Sequence, residues 1–341
     1  MRIREFTIDT DRLHRISGKV LKVTNSTIFI AQSSVVQNKL YTNKKIKGWK
    51  YALASNLSIC RRLSRAEFTG LYTIVDSGNV LVAKKGLFLC RRDCKAFKKC
   101  FAMPRGSKPL NLCFAPPGNI YFGEYFQNMG KQAVNIYCSK DNAQTWHVAY
   151  TFDAGNINHI HGLFYDKYTH RIWVATGDRE NECIIGYTED EFKSFVEVFR
   201  GGQEYRTCQL FFYKDFIVFG TDTQYEQNVI KKFDRNTLEI TELQKVQGSV
   251  IKGGQVGDVS FISTTVEPSK VNTDKYAHLW VTKDGLHWEE RYKAKKDWWP
   301  SIFQFGTFEF PQYYGVEKLE RLYFSGRALK GLDGKSTYID L

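Results

Sequence analysis

The feature that most constrains this 341-residue chain is a repeat of about 45 residues built from short apolar runs. Each run is 5–8 residues long, rich in Val, Ile, Phe, Tyr and Trp, and is broken by Gly, Asn, Asp or Lys. Such runs read as short strands with frequent turns. Apolar residues at i, i+3, i+4 and i+7 do not persist for three turns anywhere, so helices are not expected. One repeat runs from Lys19-Val20-Leu21 to Trp49-Lys50-Tyr51, and others cover 67–107, 109–155, 157–201, 204–248 and 249–297. A last, shorter one begins at Ser301-Ile302-Phe303 and ends at Leu341.

Four strands per repeat at this period point to an all-β, seven-bladed β-propeller, because radial repetition leaves only short, protected sheet edges. Six blades is the alternative, since the boundaries near 60–110 are weak. The last repeat supplies only about three strands. The run Arg4-Glu5-Phe6-Thr7-Ile8-Asp9 is expected to join the last blade and close the ring. No Pro/Gly/Ser-rich linker divides the chain, so residues 1–341 read as a single propeller domain.

Composition narrows the class. Hydrophobic residues make up 43% and charged residues 25%, as in an ordinary soluble globular protein. No apolar run reaches the roughly 18 residues of a membrane span, so none is expected. Met1-Arg2-Ile3-Arg4 lacks an apolar signal core. Of the eight cysteines, most sit inside strand-like runs such as Leu112-Cys113-Phe114, where cysteine acts as a small hydrophobe. Together these favour a reducing cytoplasmic setting. The net charge of +13 favours an acidic partner. No nucleic-acid motif accompanies that charge, which ranks nucleic acid last.

Two stretches carry a sharper signal. Ser139-Lys140-Asp141-Asn142-Ala143-Gln144-Thr145-Trp146 and the shorter Thr282-Lys283-Asp284-Gly285-Leu286-His287-Trp288 both fall between the third and fourth strands of their repeats. Degenerate copies lie at Thr188-Glu189-Asp190…Phe195 and Asp93…Phe97. The Asp can accept backbone N–H groups across a tight turn, and the aromatic residue packs between sheets. These segments resemble the Asp-box, or BNR repeat, of sialidase-like β-propellers. His159-Ile160-His161-Gly162 with Arg171-Ile172-Trp173-Val174-Ala175-Thr176-Gly177-Asp178 is similar to polysaccharide-associated members of that group. The resemblance covers about residues 109–341. It implies a glycoside hydrolase, a polysaccharide lyase or a non-catalytic glycan binder. The family's Arg-Ile-Pro is replaced here by Arg2-Ile3-Arg4 and Met103-Pro104-Arg105, so classical sialidase activity is not expected.

Propeller geometry places the candidate site. The start of a blade's first strand and the end of its second share one face near the axis. Four successive repeats then place a carboxylate there: Glu124, Asp178, Asp222 and Glu267. His159 and His161 open one first strand and Arg206 the next, while Tyr125, Arg179 and Arg327 follow or close second strands. Trp298 and Trp299 precede the last repeat and offer stacking faces for sugar rings.

Sugar hydrolysis needs two carboxylates flanking the scissile bond. A lyase needs a base beside cations that neutralise a uronate. The expected catalytic residues are His159, His161, Asp178, Glu124 and Glu267. The expected substrate-binding residues are Arg206, Asp222, Arg327, Tyr125, Arg179, Trp298 and Trp299. His-x-His on a strand is a fair metal pair, but the sequence marks no third ligand, so neither metal nor other cofactor is expected. The expected activity is cleavage of an acidic polysaccharide or oligosaccharide at the channel mouth. The alternatives are a lyase using His and Arg, and a non-catalytic glycan-binding or scaffold propeller.

Overall fold

A computed structural model describes residues 19–23, 28–31, 62, 70–74, 77–83, 86–94, 97–106 and 108–341. Among the described residues the elements are strands, apart from a 3-10 turn at Gln203–Tyr205 and the helical residue Arg62. Strands β1 (Lys19–Val23) and β2 (Ile28–Ala31) form an antiparallel ribbon. The first four-stranded sheet holds β3 (Gly70–Thr73), β4 (Val80–Ala83), β5 (Leu87–Cys90) and β6 (Lys98–Phe101). The second holds β7 (Cys113–Ala115), β8 (Asn119–Gly123), β9 (Val134–Ser139) and β10 (His147–Phe152). The third holds β11 (His159–Asp166), β12 (Arg171–Gly177), β13 (Cys183–Thr188) and β14 (Val196–Gly201). The fourth holds β15 (Thr207–Phe212), β16 (Phe216–Thr221), β17 (Val229–Asp234) and β18 (Ile240–Lys245). The fifth holds β19 (Ser249–Val256), β20 (Val259–Thr265), β21 (Tyr276–Thr282) and β22 (Glu289–Lys295). The chain ends with β23 (Thr307–Glu309), β24 (Gln312–Tyr313), β25 (Arg321–Arg327) and β26 (Ser336–Asp340).

Each four-stranded sheet runs in chain order with antiparallel neighbours, which is the meander of a propeller blade. With the three-stranded sheet β23-β25-β26, the described residues make six blades. Seven was the leading expectation and six the alternative; six is the number that matches. The difference lies in the first expected blade. Of residues 19–51, β1 and β2 are described, and β1 pairs in parallel with β24 to give a three-stranded sheet β2-β1-β24. That pairing brings the two ends of the described chain together. The run Arg4–Asp9, expected to close the ring, lies outside the described residues.

The core lies between blades. Trp173 and Ile185 of one sheet pack on Leu210, Phe212, Ile217, Phe219 and Phe233 of the next. Phe211, Val218 and Ile230 pack in turn on Val250, Ile262 and Trp280. Inner strands are buried on both faces, as Val80–Ala83 and Asn119–Gly123 are throughout, so their sequences read as continuous apolar runs. The fourth strands alternate or face solvent, as in Val196–Gly201.

The turns between third and fourth strands share one local chemistry. Asp141 accepts from Ser139 Oγ at 2.9 Å, Gln144 N at 3.0 Å and Thr145 N at 2.8 Å. Asp190 and Asp284 repeat the arrangement through Thr188 and Ser194, and through Thr282, Leu286 and His287. The turn at Asn142-Ala143 and that at Glu191-Phe192 use positive φ without glycine. No helix among the described residues is long and apolar enough to cross a membrane.

Candidate functional site

The site is built on β11, and a β-bulge aims it. His159 pairs with Gly177 and Ile160 with Thr176, but Gly162 then pairs with Ala175, so His161 is the extra residue. A bulge bends a strand and re-aims a side chain. The neighbouring inner strands β15 and β19 shift register at matching places, after Thr207 and after Val250. Gly177 sits opposite because the His161 ring lies against it. A Cβ there would meet His161 Cε1 at 2.4 Å.

The two imidazoles converge on one carboxylate. His161 Nε2 lies 2.9 Å from Asp178 Oδ1, and His159 Nε2 lies 3.3 Å from Asp178 Oδ2. The two Nε2 atoms are 3.2 Å apart. The other ring nitrogens face carbonyls of adjoining blades. His159 Nδ1 is 2.9 Å from Phe126 O, and His161 Nδ1 is 3.0 Å from Thr207 O. Arg206 Nη2 approaches Asp178 Oδ1 at 3.0 Å and Asp222 Oδ2 at 3.7 Å. Tyr125 covers His159, with ring centroids 4.3 Å apart. Both histidines are buried, while the Asp178 side chain keeps 30% of its surface exposed and forms the solvent side of the cluster.

Burial pushes the Asp178 carboxyl up, but hydrogen bonds and charge from His159 and His161 outweigh it and hold the group well below the usual carboxylate range. Burial opposes the Arg206 charge, and Asp222 and Asp178 outweigh that. Glu267 goes the other way. Burial and then the charge of Asp222 push it up to about 7, with Gln224 Nε2 donating to it at 2.6 Å.

The structure thus brings His159, His161, Asp178, Arg206, Asp222 and Tyr125 together, with Glu267 in their field. Glu124 is directed elsewhere. Arg105 binds both its oxygens, Asn135 N donates at 2.9 Å and Tyr137 OH at 3.4 Å. Its side chain is buried and paired with Arg105, apart from the cluster around Asp178. Arg179 is exposed, with Nη2 3.6 Å from Met129 Sδ. Arg327 pairs with Glu309, which also binds Lys19. Arg327 lines a cleft of 550 Å³ together with Arg62, Lys108, Lys252 and Thr265. Trp298 is 84% exposed and packs on Trp299, which in turn packs on Phe303 of the cleft lining with Arg62 over its ring.

Several participants escape sequence reasoning. Asn158 Nδ2 donates to Asp178 Oδ2 at 3.2 Å, and Gln203 Nε2 donates to the Asp178 carbonyl at 2.7 Å. Cys208 Sγ lies 3.3 Å from Asp222 Oδ2. Asn158 precedes His159 and Cys208 lies two residues after Arg206, and that nearness is the one signal available for them. Among the described residues, two donor sets are compact enough to hold a metal ion: His159, His161 and Asp178, and His161, Cys208 and Asp222. Asp178 is the third donor that the sequence did not mark.

No family model matches the chain, and no curated protein does either. Solved structures match in fold. The WD40 β-propeller domain of Doa1 aligns with a TM-score of 0.56 at 10% identity, over 96% of this chain and 94% of that one. A prolyl endopeptidase aligns at a TM-score of 0.48 and 10% identity, over 76% of this chain and 38% of that one. The GH74 xyloglucanase from Xanthomonas campestris aligns at 0.42 and 15% identity, over 66% and 36%. At these identities the likeness is to the propeller fold alone.

Proposed function

We propose that this propeller cleaves an acidic polysaccharide or oligosaccharide by glycoside hydrolysis, with Glu267 as general acid. The observation that carries the reading is the split between carboxylates on one face. Burial and the charge of Asp222 push Glu267 up to about 7, while His159 and His161 hold Asp178 well below the usual carboxylate range. Environments that push two carboxylates apart in this way suit an acid on one side and a permanent negative charge on the other. Glu267 follows Thr265, which lines the cleft of Arg62, Lys108, Lys252 and Arg327, a lining suited to an acidic sugar. Exposed Trp298, packed against Trp299, supplies an aromatic face. The similarity of the Asp141, Asp190 and Asp284 turns to the Asp-box supports the same class.

The test is incubation of the full chain with a panel of acidic glycans. New reducing ends are expected from the wild type and a loss of about 10²–10⁴-fold from Glu267→Gln. Absorbance of an unsaturated uronate without hydrolysis would assign a lyase instead. Saturable binding with neither product would assign a glycan binder.

A further inference from the structure

The orientation of the two histidines has a consequence independent of glycan cleavage. Phe126 O and Thr207 O can only accept hydrogen bonds, so each Nδ1 facing them carries the proton. Asn158 Nδ2, 3.2 Å from His159 Nδ1, then directs its hydrogen to Asp178 Oδ2. What then faces Asp178 is either a proton on Nε2, the imidazolium donors that hold its carboxyl low, or, in neutral imidazoles, two bare Nε2 lone pairs. The two Nε2 atoms lie 3.2 Å apart and point at a carboxylate 2.9 and 3.3 Å away. Three electron-pair donors at such separations repel unless a cation sits among them.

We propose that His159 Nε2, His161 Nε2 and Asp178 bind a divalent first-row transition ion such as zinc. Ligand atoms about 2.0–2.1 Å from a tetrahedral zinc stand about 3.3 Å from one another, close to the 3.2 Å between the two Nε2 atoms and to the 2.9 and 3.3 Å from each Nε2 to its own oxygen of Asp178. Two imidazoles and a carboxylate are a donor set for borderline ions, not for Mg²⁺ or Ca²⁺. The surroundings match those of metal-bound histidines, whose second ring N–H is given to a carbonyl. Arg206 and Asn158 hold the carboxylate oxygens in the same way. Three protein ligands leave one position open, and the partly exposed Asp178 marks the route in. Arg206 lies close enough to oppose the ion, and the charge of Asp222 beside it offsets this.

The experiment uses the full chain dialysed against a chelator. Zn²⁺ is titrated by calorimetry, Co²⁺ by visible absorbance, and melting temperature is followed with and without metal. One equivalent of Zn²⁺, a strong cobalt band of tetrahedral type and a metal-dependent rise in melting temperature are expected. His161→Ala removes a packed ring and can impair folding, so His159→Gln and Asp178→Asn are measured beside it. Each of these is expected to weaken zinc at least about tenfold while keeping the circular dichroism of the wild type. A wild type that takes up neither Zn²⁺ nor Co²⁺ would show that a proton on His161 fills the place instead, and the proposal falls. It falls equally if His159→Gln and Asp178→Asn bind zinc like the wild type. Loss of glycan cleavage alone bears on Glu267 and leaves these readouts unaffected.

Discussion

His161 donates its Nδ1 hydrogen to the carbonyl of Thr207, 3.0 Å away on the first residue of the next blade's inner strand. The ring cannot turn without breaking a bond between blades. That bond sets which nitrogen faces Asp178, so packing between sheets decides the chemistry available there.

Gly177→Ala tests this placement. The added methyl would meet His161 Cε1 at 2.4 Å and Nε2 at 2.8 Å. The ring is wedged by Thr207, so overpacking is expected to cost about 1–3 kcal/mol. Displacement of His161 should also lower zinc affinity in the variant that remains folded. Denaturant unfolding and zinc titration, run side by side, check both effects.

Glu267 gives a pH signature. Its folded-state value, about 7, lies above that of an exposed glutamate. Folding therefore favours the protonated form, and that contribution is complete below about pH 4.3. It is lost as pH rises through about 7. Melting temperature should fall over this window in the wild type and fall less in Glu267→Gln. Equal slopes in the two proteins would argue against the assignment.

Glu124 is predicted to matter for folding and not for chemistry. Arg105→Ala leaves a buried carboxylate without its cation, which is expected to cost about 3–5 kcal/mol. At a temperature where the variant is folded, glycan cleavage should match the wild type. Selective loss of activity without loss of stability would return Glu124 to the site.

The interface between blades should carry much of the stability. Phe219 is fully buried among Trp173, Ile185 and Phe233. Phe219→Ala is expected to destabilise by about 3–5 kcal/mol in equilibrium unfolding. A loss below about 1 kcal/mol would mean that the two sheets do not pack as described.

The sequence by itself determined the strand content, the repeat and most blade limits. Strands β7 to β10 fall inside 109–155 and β11 to β14 inside 157–201, as the spacing of apolar runs requires. It also placed His159, Asp178, Arg206 and Asp222 at strand ends on one face, because period and pleat fix where a strand end lies. Blade number was not fixed in the same way. Whether β1 and β2 build a blade or join β24 depends on a pairing between distant segments, to which local pattern is blind. Side-chain direction was decided by the tertiary structure too. Glu124 follows the same pattern as Asp178, yet Arg105 draws it into the sheet. The bulge at His161, together with carbonyls from two adjoining blades, turns two strand residues into converging donors. Such convergence depends on distances between chain segments up to 46 residues apart, and only packing sets those.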